Sequence, residues 1–419
     1  MKDLKLNKSN SDLIFEEFIE EIDRGRLGLN TGLSTGIVSL DKTIGGIQKK
    51  TYNLVFAAEG VGKSVFVMHT HILYPIVQHY HMLEKDPEYK TDLKIRFYSL
   101  EVDRVNILGK MLCWLIYKDT GDLLSMNYLF SKNLYLIDND TYELVLSYKA
   151  KIKKILDEVL IIIDKPMTST EIYDDLVQFA SSRGKSKLIT LSDGSRVHKY
   201  IPNNPNEHVI VITDTLTNLT IDESIKFNSE KKECDLHSNN CKHIYRNMFH
   251  YSVVNVTHSN RDITNTMRTK SNEIYPHKND ISISSQPSRD ADIVICLFNP
   301  YEYVSPNNSL SKFGGYNILR LQNRYRNIGV LKSRNGESMK RISVLFIGEC
   351  GYFKALPKST LMQNKDYANI ESITVEYKPE KDHKTKSNKI NNLKIKLLSK
   401  LKKKDESRIE NTNKNLLNE

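Results

Sequence analysis

The chain has 419 residues, 39% apolar and 27% charged. Those are the proportions of a soluble globular protein, and they exclude collagen-like, mucin-like and wholly disordered chains. Its formal charge of +10 sits in the C-terminal tail: residues 378–404 carry +9 and residues 405–419 carry −2, leaving the body near +3. The net charge therefore does not by itself mark the body as a nucleic-acid binder. No window approaches the roughly 18 apolar residues of a membrane-spanning helix, and no apolar core follows the N-terminal lysines as in a signal peptide. The five cysteines make no disulfide framework, which predicts a reducing, cytoplasmic location without membrane association.

Residues 1–11 read as disordered. Ile14, Phe15, Phe18, Ile19 and Ile22 then recur at helical spacing, so a helix is expected over Leu13–Ile22. So small a helix cannot bury its own apolar face and must dock, on its own domain or on a neighbouring subunit. A new unit opens at Gly36. Short β-rich runs follow at Tyr52–Ala57, Ile95–Leu100, Val209–Thr213, Val253–Val256, Ile293–Phe298, Ile318–Leu321, Gly329–Leu331 and Val344–Ile347. Strands apolar on both faces and alternating with helices predict an α/β fold with a covered, mostly parallel sheet. Residues 120–205 read as helices followed by a loop or hairpin. From 358 onward a basic, largely disordered tail is expected, with an amphipathic helix at 388–403 set by Ile390, Leu393, Leu397, Leu398 and Leu401. That helix would dock on a partner or a nucleic acid.

Ala57-Ala58-Glu59-Gly60-Val61-Gly62-Lys63-Ser64 follows the first long strand and precedes an apolar helix. It has the form of a P-loop, with Ala57 in place of the usual first glycine. The chemistry needs a tight turn whose N–H groups surround a phosphate chain, and Glu59 to Ser64 would form it. Lys63 adds charge at the outer phosphates, and the Ser64 hydroxyl can ligate Mg²⁺. Bound ATP or another NTP with Mg²⁺ is the implied cofactor. The site also needs carboxylates. Asp214 ends the run Val209–Thr213, where an Mg²⁺-coordinating acid belongs, and Glu101 ends another strand; ligands of open parallel sheets bind at such ends.

Gly36–Asp41, Gly45-Gly46-Ile47, the P-loop and Tyr98–Glu101 resemble the opening of a DnaB-type replicative helicase motor domain, a family whose loop also begins with Ala or Gly. The resemblance continues through Asp214–Leu219, Val254–Arg261, Arg289–Val294 and Val330–Gly336 to Gly351–Phe353. It covers roughly 36–357, most closely the virus-encoded forms, and implies a RecA-like motor. It also implies roles. Glu101 would polarise the attacking water, His258 would sense the γ-phosphate, and Lys332 and Arg334 would reach the neighbouring subunit's nucleotide. Loops near 220–235 and 261–290 would hold DNA, with Arg268 and Lys270 as phosphate contacts. The helix near 14–22 would dock on the adjacent subunit. Only residues 1–35 precede the motor here, so ring assembly is expected, whereas the large primase-binding domain of bacterial members is not.

The sequence thus predicts an NTP-hydrolysing replicative helicase motor that assembles as a hexameric ring, translocates on single-stranded DNA and unwinds duplex. Primase and a loader would be its replisome partners, and its Lys/Asn/Ile-rich usage fits a bacteriophage acting in a host cytoplasm. A RecA/RadA-like recombinase ATPase and a nucleotide-regulated loader or scaffold stay open as alternatives. Cys234, His237, Cys241 and His243 crowd into ten residues, but their spacing fits no usual zinc pattern.

Overall fold

The computed structural model describes residues 4–5, 9–26, 30–132, 136–190, 196–226, 228–260, 274–282, 284–304, 311–334 and 336–375. Its strands are, in chain order, β1 (Leu4–Lys5), β2 (Thr51–Ala57), β3 (Asp92–Ser99), β4 (Leu160–Ile163), β5 (Gly184–Thr190), β6 (Arg196–Pro202) and β7 (Glu207–Asp214). They continue with β8 (Ser252–His258), β9 (Ile293–Phe298), β10 (Lys312–Phe313), β11 (Tyr316–Asn317), β12 (Tyr325–Ser333), β13 (Lys340–Ile347) and β14 (Tyr352–Ala355).

Nine of these strands form one sheet in the order β14-β13-β12-β9-β2-β8-β7-β3-β4. The run from β9 to β4 is parallel throughout, and β12, β13 and β14 add an antiparallel flank. Side chains alternate between two buried layers, as the period of a strand dictates. Val55 and Ala57 of β2 join one core with Leu40, Phe66, Trp114 and Ile155. Tyr52, Leu54 and Phe56 join the other with Ile172, Leu176, Cys241 and Tyr245. Every residue of β2 and β7 is buried, which is why these strands read as continuous apolar runs rather than alternating ones.

Several expectations need correction. Ile318–Leu321 is a short helix, not a strand: the Asn317 side chain accepts from Arg320 N at its start, and Ile318 and Leu321 bury one face. The edge strand β4 adds to the expected set. Its partly exposed Ile161–Ile163 follow the helix Lys149–Glu158 without a turn signal. Leu4–Lys5, inside the segment expected to be disordered, pairs in parallel with Ile189–Thr190, and the following helix runs over Asn10–Arg26, longer than Leu13–Ile22. The helix Asn364–Glu371 lies where the disordered tail was expected to begin. A capping box of Gln363 and Asp366 starts it, Tyr367 and Ile370 are buried, and Arg320 holds Glu371 by two bonds of 2.7 and 2.9 Å. The amphipathic helix expected at 388–403 lies outside the described residues.

Of the loop or hairpin expected after the helices of 120–205, a hairpin forms, β5–β6. Cys234, His237, Cys241 and His243 do not converge: Cys234 Sγ donates to Leu216 O at 3.2 Å, His237 Nε2 lies 3.2 Å from Thr213 Oγ1, and His243 is exposed. No group of three or more His, Cys, Asp or Glu placed to hold a metal ion occurs among the described residues. None of the described helices is long and apolar enough to cross a membrane.

Candidate nucleotide site

Beyond β2 the chain turns through residues 58–62 into a helix that begins at Lys63. Gly60 and Gly62 take φ of +77° and +103°, which side chains with a Cβ rarely adopt. A Cβ at Gly62 would also press on the Phe346 ring at 3.3 Å. The helix's first N–H groups lack partners within the helix and offer donors and positive dipole to an anion.

The sheet order sets β2, β8, β7 and β3 side by side, all parallel, so their carboxyl ends form a row. Ala57 pairs with His258 and Ser99 with Asp214, while Leu100 N donates to Asp214 O at 2.7 Å and fixes the approach to Glu101. Lys63, Ser64, Glu101, Asp214 and His258 therefore meet at one end of the sheet. Glu59 and Glu101 are exposed, whereas Lys63 and Val61 are buried. Burial lowers the pKa of Lys63, opposed by the charges of Glu101, Asp214 and Glu59. Burial also lowers that of His258, helped by the nearby Lys63 ammonium, so the imidazole is neutral at physiological pH.

Asp214 is 1% exposed. Burial pushes its carboxyl up from the ordinary 3.8 to about 6; the Ser64 hydrogen bond opposes the shift, Glu101 adds to it, and Lys63 and Lys110 oppose it. Its Oδ1 has no hydrogen-bond partner. A carboxyl raised in the fold contributes stability below about pH 4 that is lost as pH rises through 6. Asp214→Asn is therefore expected to stabilise the nucleotide-free chain at pH 8, by about 3 kcal/mol. That gain should vanish below pH 4, which paired denaturant titrations at the two pH values would read.

Arg326 joins the site from outside the residues that the sequence singles out. It is buried, and it donates to Val61 O at 2.8 Å, Asn323 O at 2.9 Å and Tyr325 O at 2.8 Å. Its guanidinium lies 4.7 Å from the centroid of the Phe346 ring, which stacks on Phe353 in turn. Burial lowers its pKa to about 10, and it stays charged. It ties the phosphate loop to β12, and an Arg inside the apolar run beginning at Tyr325 is the signal that could have found it. Arg326→Met removes three buried hydrogen bonds to carbonyls, so a loss of about 3 kcal/mol in unfolding free energy is expected, with weaker NTP binding. Urea midpoints and nucleotide titration would check both.

Lys332 and Arg334 lie elsewhere. β12 runs antiparallel to β9, and Ser333 pairs with Ile293, which pairs with Asn53 near the start of β2. The pair thus sits at the opposite end of the sheet from the phosphate loop, about 15–20 Å along the strand. Lys332 Nζ donates to the carbonyls of Ser288, Arg289 and Ala291 at 2.9, 3.0 and 2.6 Å, holding the end of the helix Gln286–Asp290. Arg334 is half-exposed and lies 3.5 Å from Asp292, with its Nη2 donating to Arg289 O at 3.2 Å.

Residues 32–355 match the family model of the DnaB-like helicase C-terminal domain. The chain belongs to that family. Solved structures similar to this DnaB-like chain include an ATPase domain at 20% identity and a TM-score of 0.59, a match covering 84% of this chain and 100% of that one. A DnaB-like replicative helicase, described with its interactions with primase, matches at 18% identity and a TM-score of 0.57. That match covers 82% of this chain and 66% of that one. At these identities the two show the fold, a RecA-like ATPase core. A search of curated proteins finds no match. Of the residues that the sequence and the family resemblance singled out, the DnaB-like core brings Lys63, Ser64, Glu101, Asp214 and His258 together and sets Lys332 and Arg334 apart. Arg268 and Lys270 lie outside the described residues.

Proposed function

We propose that this DnaB-like chain is an NTP-hydrolysing replicative helicase motor that assembles head-to-tail, as a hexameric ring, and translocates on single-stranded DNA to unwind duplex. The observation that carries this reading is the separation of two half-sites. A phosphate loop with its carboxylates stands at one end of the sheet, and a basic pair stands at the other, beyond reach of the same chain's nucleotide. A head-to-tail interface joins unlike surfaces of successive copies and would complete each site from two chains.

Lys63 and the loop from Glu59 to Ser64 grip the triphosphate. Mg²⁺ fits at Ser64 and Asp214: the unpartnered Asp214 Oδ1 and the raised carboxyl are what a buried cation ligand shows before a cation offsets its charge. When bound, the ion would neutralise charge on the phosphates. Glu101 accepts the proton of the attacking water, and the neutral His258 hydrogen-bonds the γ-phosphate. Arg334, positioned by Lys332, acts in the neighbouring site. Arg268 and Lys270 would contact DNA phosphates, and primase and a loader would be the replisome partners, in the host cytoplasm of a bacteriophage.

The helix Asn10–Arg26 supports assembly. Ile14, Phe15 and Phe18 are 60%, 62% and 58% exposed, an apolar face that the described residues of its own chain leave uncovered. Phe18→Asp is expected to shift the chain from oligomer towards monomer, as light scattering would show. The function itself is tested by NTP turnover with and without single-stranded DNA. Stimulation by DNA supports the motor, whereas strong turnover indifferent to DNA favours a loader or scaffold.

A further inference from the structure

β5 and β6 stand outside the nine-stranded sheet, pairing with each other and with Leu4–Lys5. Nothing in the nucleotide site uses them. Their register sets Lys187 directly opposite Lys199, and the strand period puts Lys185 on the same face. Like charges placed opposite each other in a ladder are destabilising. All three lysines are exposed, so no packing within the described chain offsets that cost. Arg196 and His198 are exposed on the other face. Lys199 Nζ meets Glu17 Oε1 at 3.0 Å, while Lys185, Lys187 and Arg196 form no ion pair among the described residues.

The root of the ribbon is firmly held and extends the same charge. Tyr200 is buried, with its hydroxyl donating to Ala180 O at 3.0 Å and its ring edge-on to Phe249 at 5.1 Å. Close by, Lys50 and His250 both take left-handed backbone, φ +57° and +59°, and Lys50 N donates to His250 O at 3.1 Å. Non-glycine residues hold such conformations at a cost, and they gather at functional surfaces. The cations are close enough to act on one another. Burial and then the Arg24 guanidinium bring Lys49 down to about 8, and after burial Lys50 and Lys199 lower His250. Arg24, Lys49, Lys50, Lys199, Lys187 and Lys185 thus gather at the amino end of the sheet, opposite the phosphate loop, with Glu21 beside Arg24, Glu207 beside Lys49 and Glu17 on Lys199, which leaves Lys185 and Lys187 without an acid partner among the described residues.

We infer that the β5–β6 ribbon is a second nucleic-acid contact of this motor, in which Lys185, Lys187 and Lys199 engage a phosphodiester backbone without regard to base sequence. Same-face lysines two residues apart stand about 6.8 Å from each other, comparable to successive phosphates of an extended strand. The inference rests on the DNA-motor reading but concerns a surface remote from the phosphate loop.

The test uses the full chain carrying Lys185→Ala and Lys187→Ala together, substitutions of exposed side chains that do not lower thermal stability and leave DNA-independent turnover unchanged. Affinity for a single-stranded oligonucleotide and for a duplex is measured across a series of salt concentrations. Loss of two phosphate contacts should flatten the slope of log K against log salt by about 1.4 on single strands or 1.8 on duplex. The arm that responds identifies the strand form bound. A double variant with the wild-type slope on both DNAs overturns the ribbon contact and leaves the motor reading standing. A wild-type chain that binds neither DNA overturns both.

Discussion

Glu101→Gln is expected to lower NTP turnover about 10²–10⁴-fold while nucleotide affinity stays within a few fold of wild type. The amide keeps the shape of the carboxylate and removes its ability to accept a proton, so binding and chemistry separate. Glu101 is well placed for this loss. It is exposed at the row of strand ends, close enough to Lys63, Asp214 and His258 for its charge to act on all three. Removing its charge also lessens the push on Asp214, so a modest gain in Mg²⁺-nucleotide affinity is compatible with the role. Steady-state turnover and a titration with a fluorescent nucleotide separate the two quantities. Turnover within threefold of wild type would place the base elsewhere.

Arg334→Ala is the second large effect. A finger supplied in trans is worth roughly 10³–10⁵ in rate, and a loss of that order is expected with the chain's own phosphate loop untouched. The geometry gives this prediction a condition. Arg334 lies at the far end of the sheet from Lys63, so its contribution must depend on assembly, and wild-type turnover should fall on dilution below the assembly concentration. Its side chain has two present contacts, the Arg289 carbonyl at 3.2 Å and the buried Asp292 at 3.5 Å; both are long, and Arg246 keeps Asp292 paired when they are left. Turnover that is unaffected by both the substitution and dilution would make Arg334 an ordinary surface charge.

Much of the candidate nucleotide site is legible in the sequence because it is local. The phosphate loop is one continuous segment, its glycines are required by the turn, and Asp214 and Glu101 terminate buried strands whose apolar runs are visible residue by residue. The parallel sheet is readable for the same reason, since strands covered on both faces leave no polar alternation. What escapes is non-local or weakly patterned. Arg326 matters because β12 lies across the sheet from Val61, a proximity that 265 positions of separation conceal. Ile318–Leu321 has a strand's composition, and the Asn317 cap and the shared buried face of Ile318 and Leu321 go with its helical form. The helix Asn364–Glu371 is polar except for Tyr367, Ala368 and Ile370, and its partner Arg320 lies far back in the chain. The family resemblance makes Lys332 a reaching residue beside Arg334, whereas here it caps the helix Gln286–Asp290, a contact that no spacing could announce.

A catalytic site shared between two copies of the chain should be restored by mixing two inactive variants. Glu101→Gln and Arg334→Ala chains are assembled together with single-stranded DNA, and turnover is compared with each variant alone. At equal mixing about a quarter of head-to-tail interfaces join an intact Glu101 to an intact Arg334, so a corresponding fraction of wild-type turnover should return. A mixture no more active than its parts, although the two chains demonstrably co-assemble, would contradict the shared site.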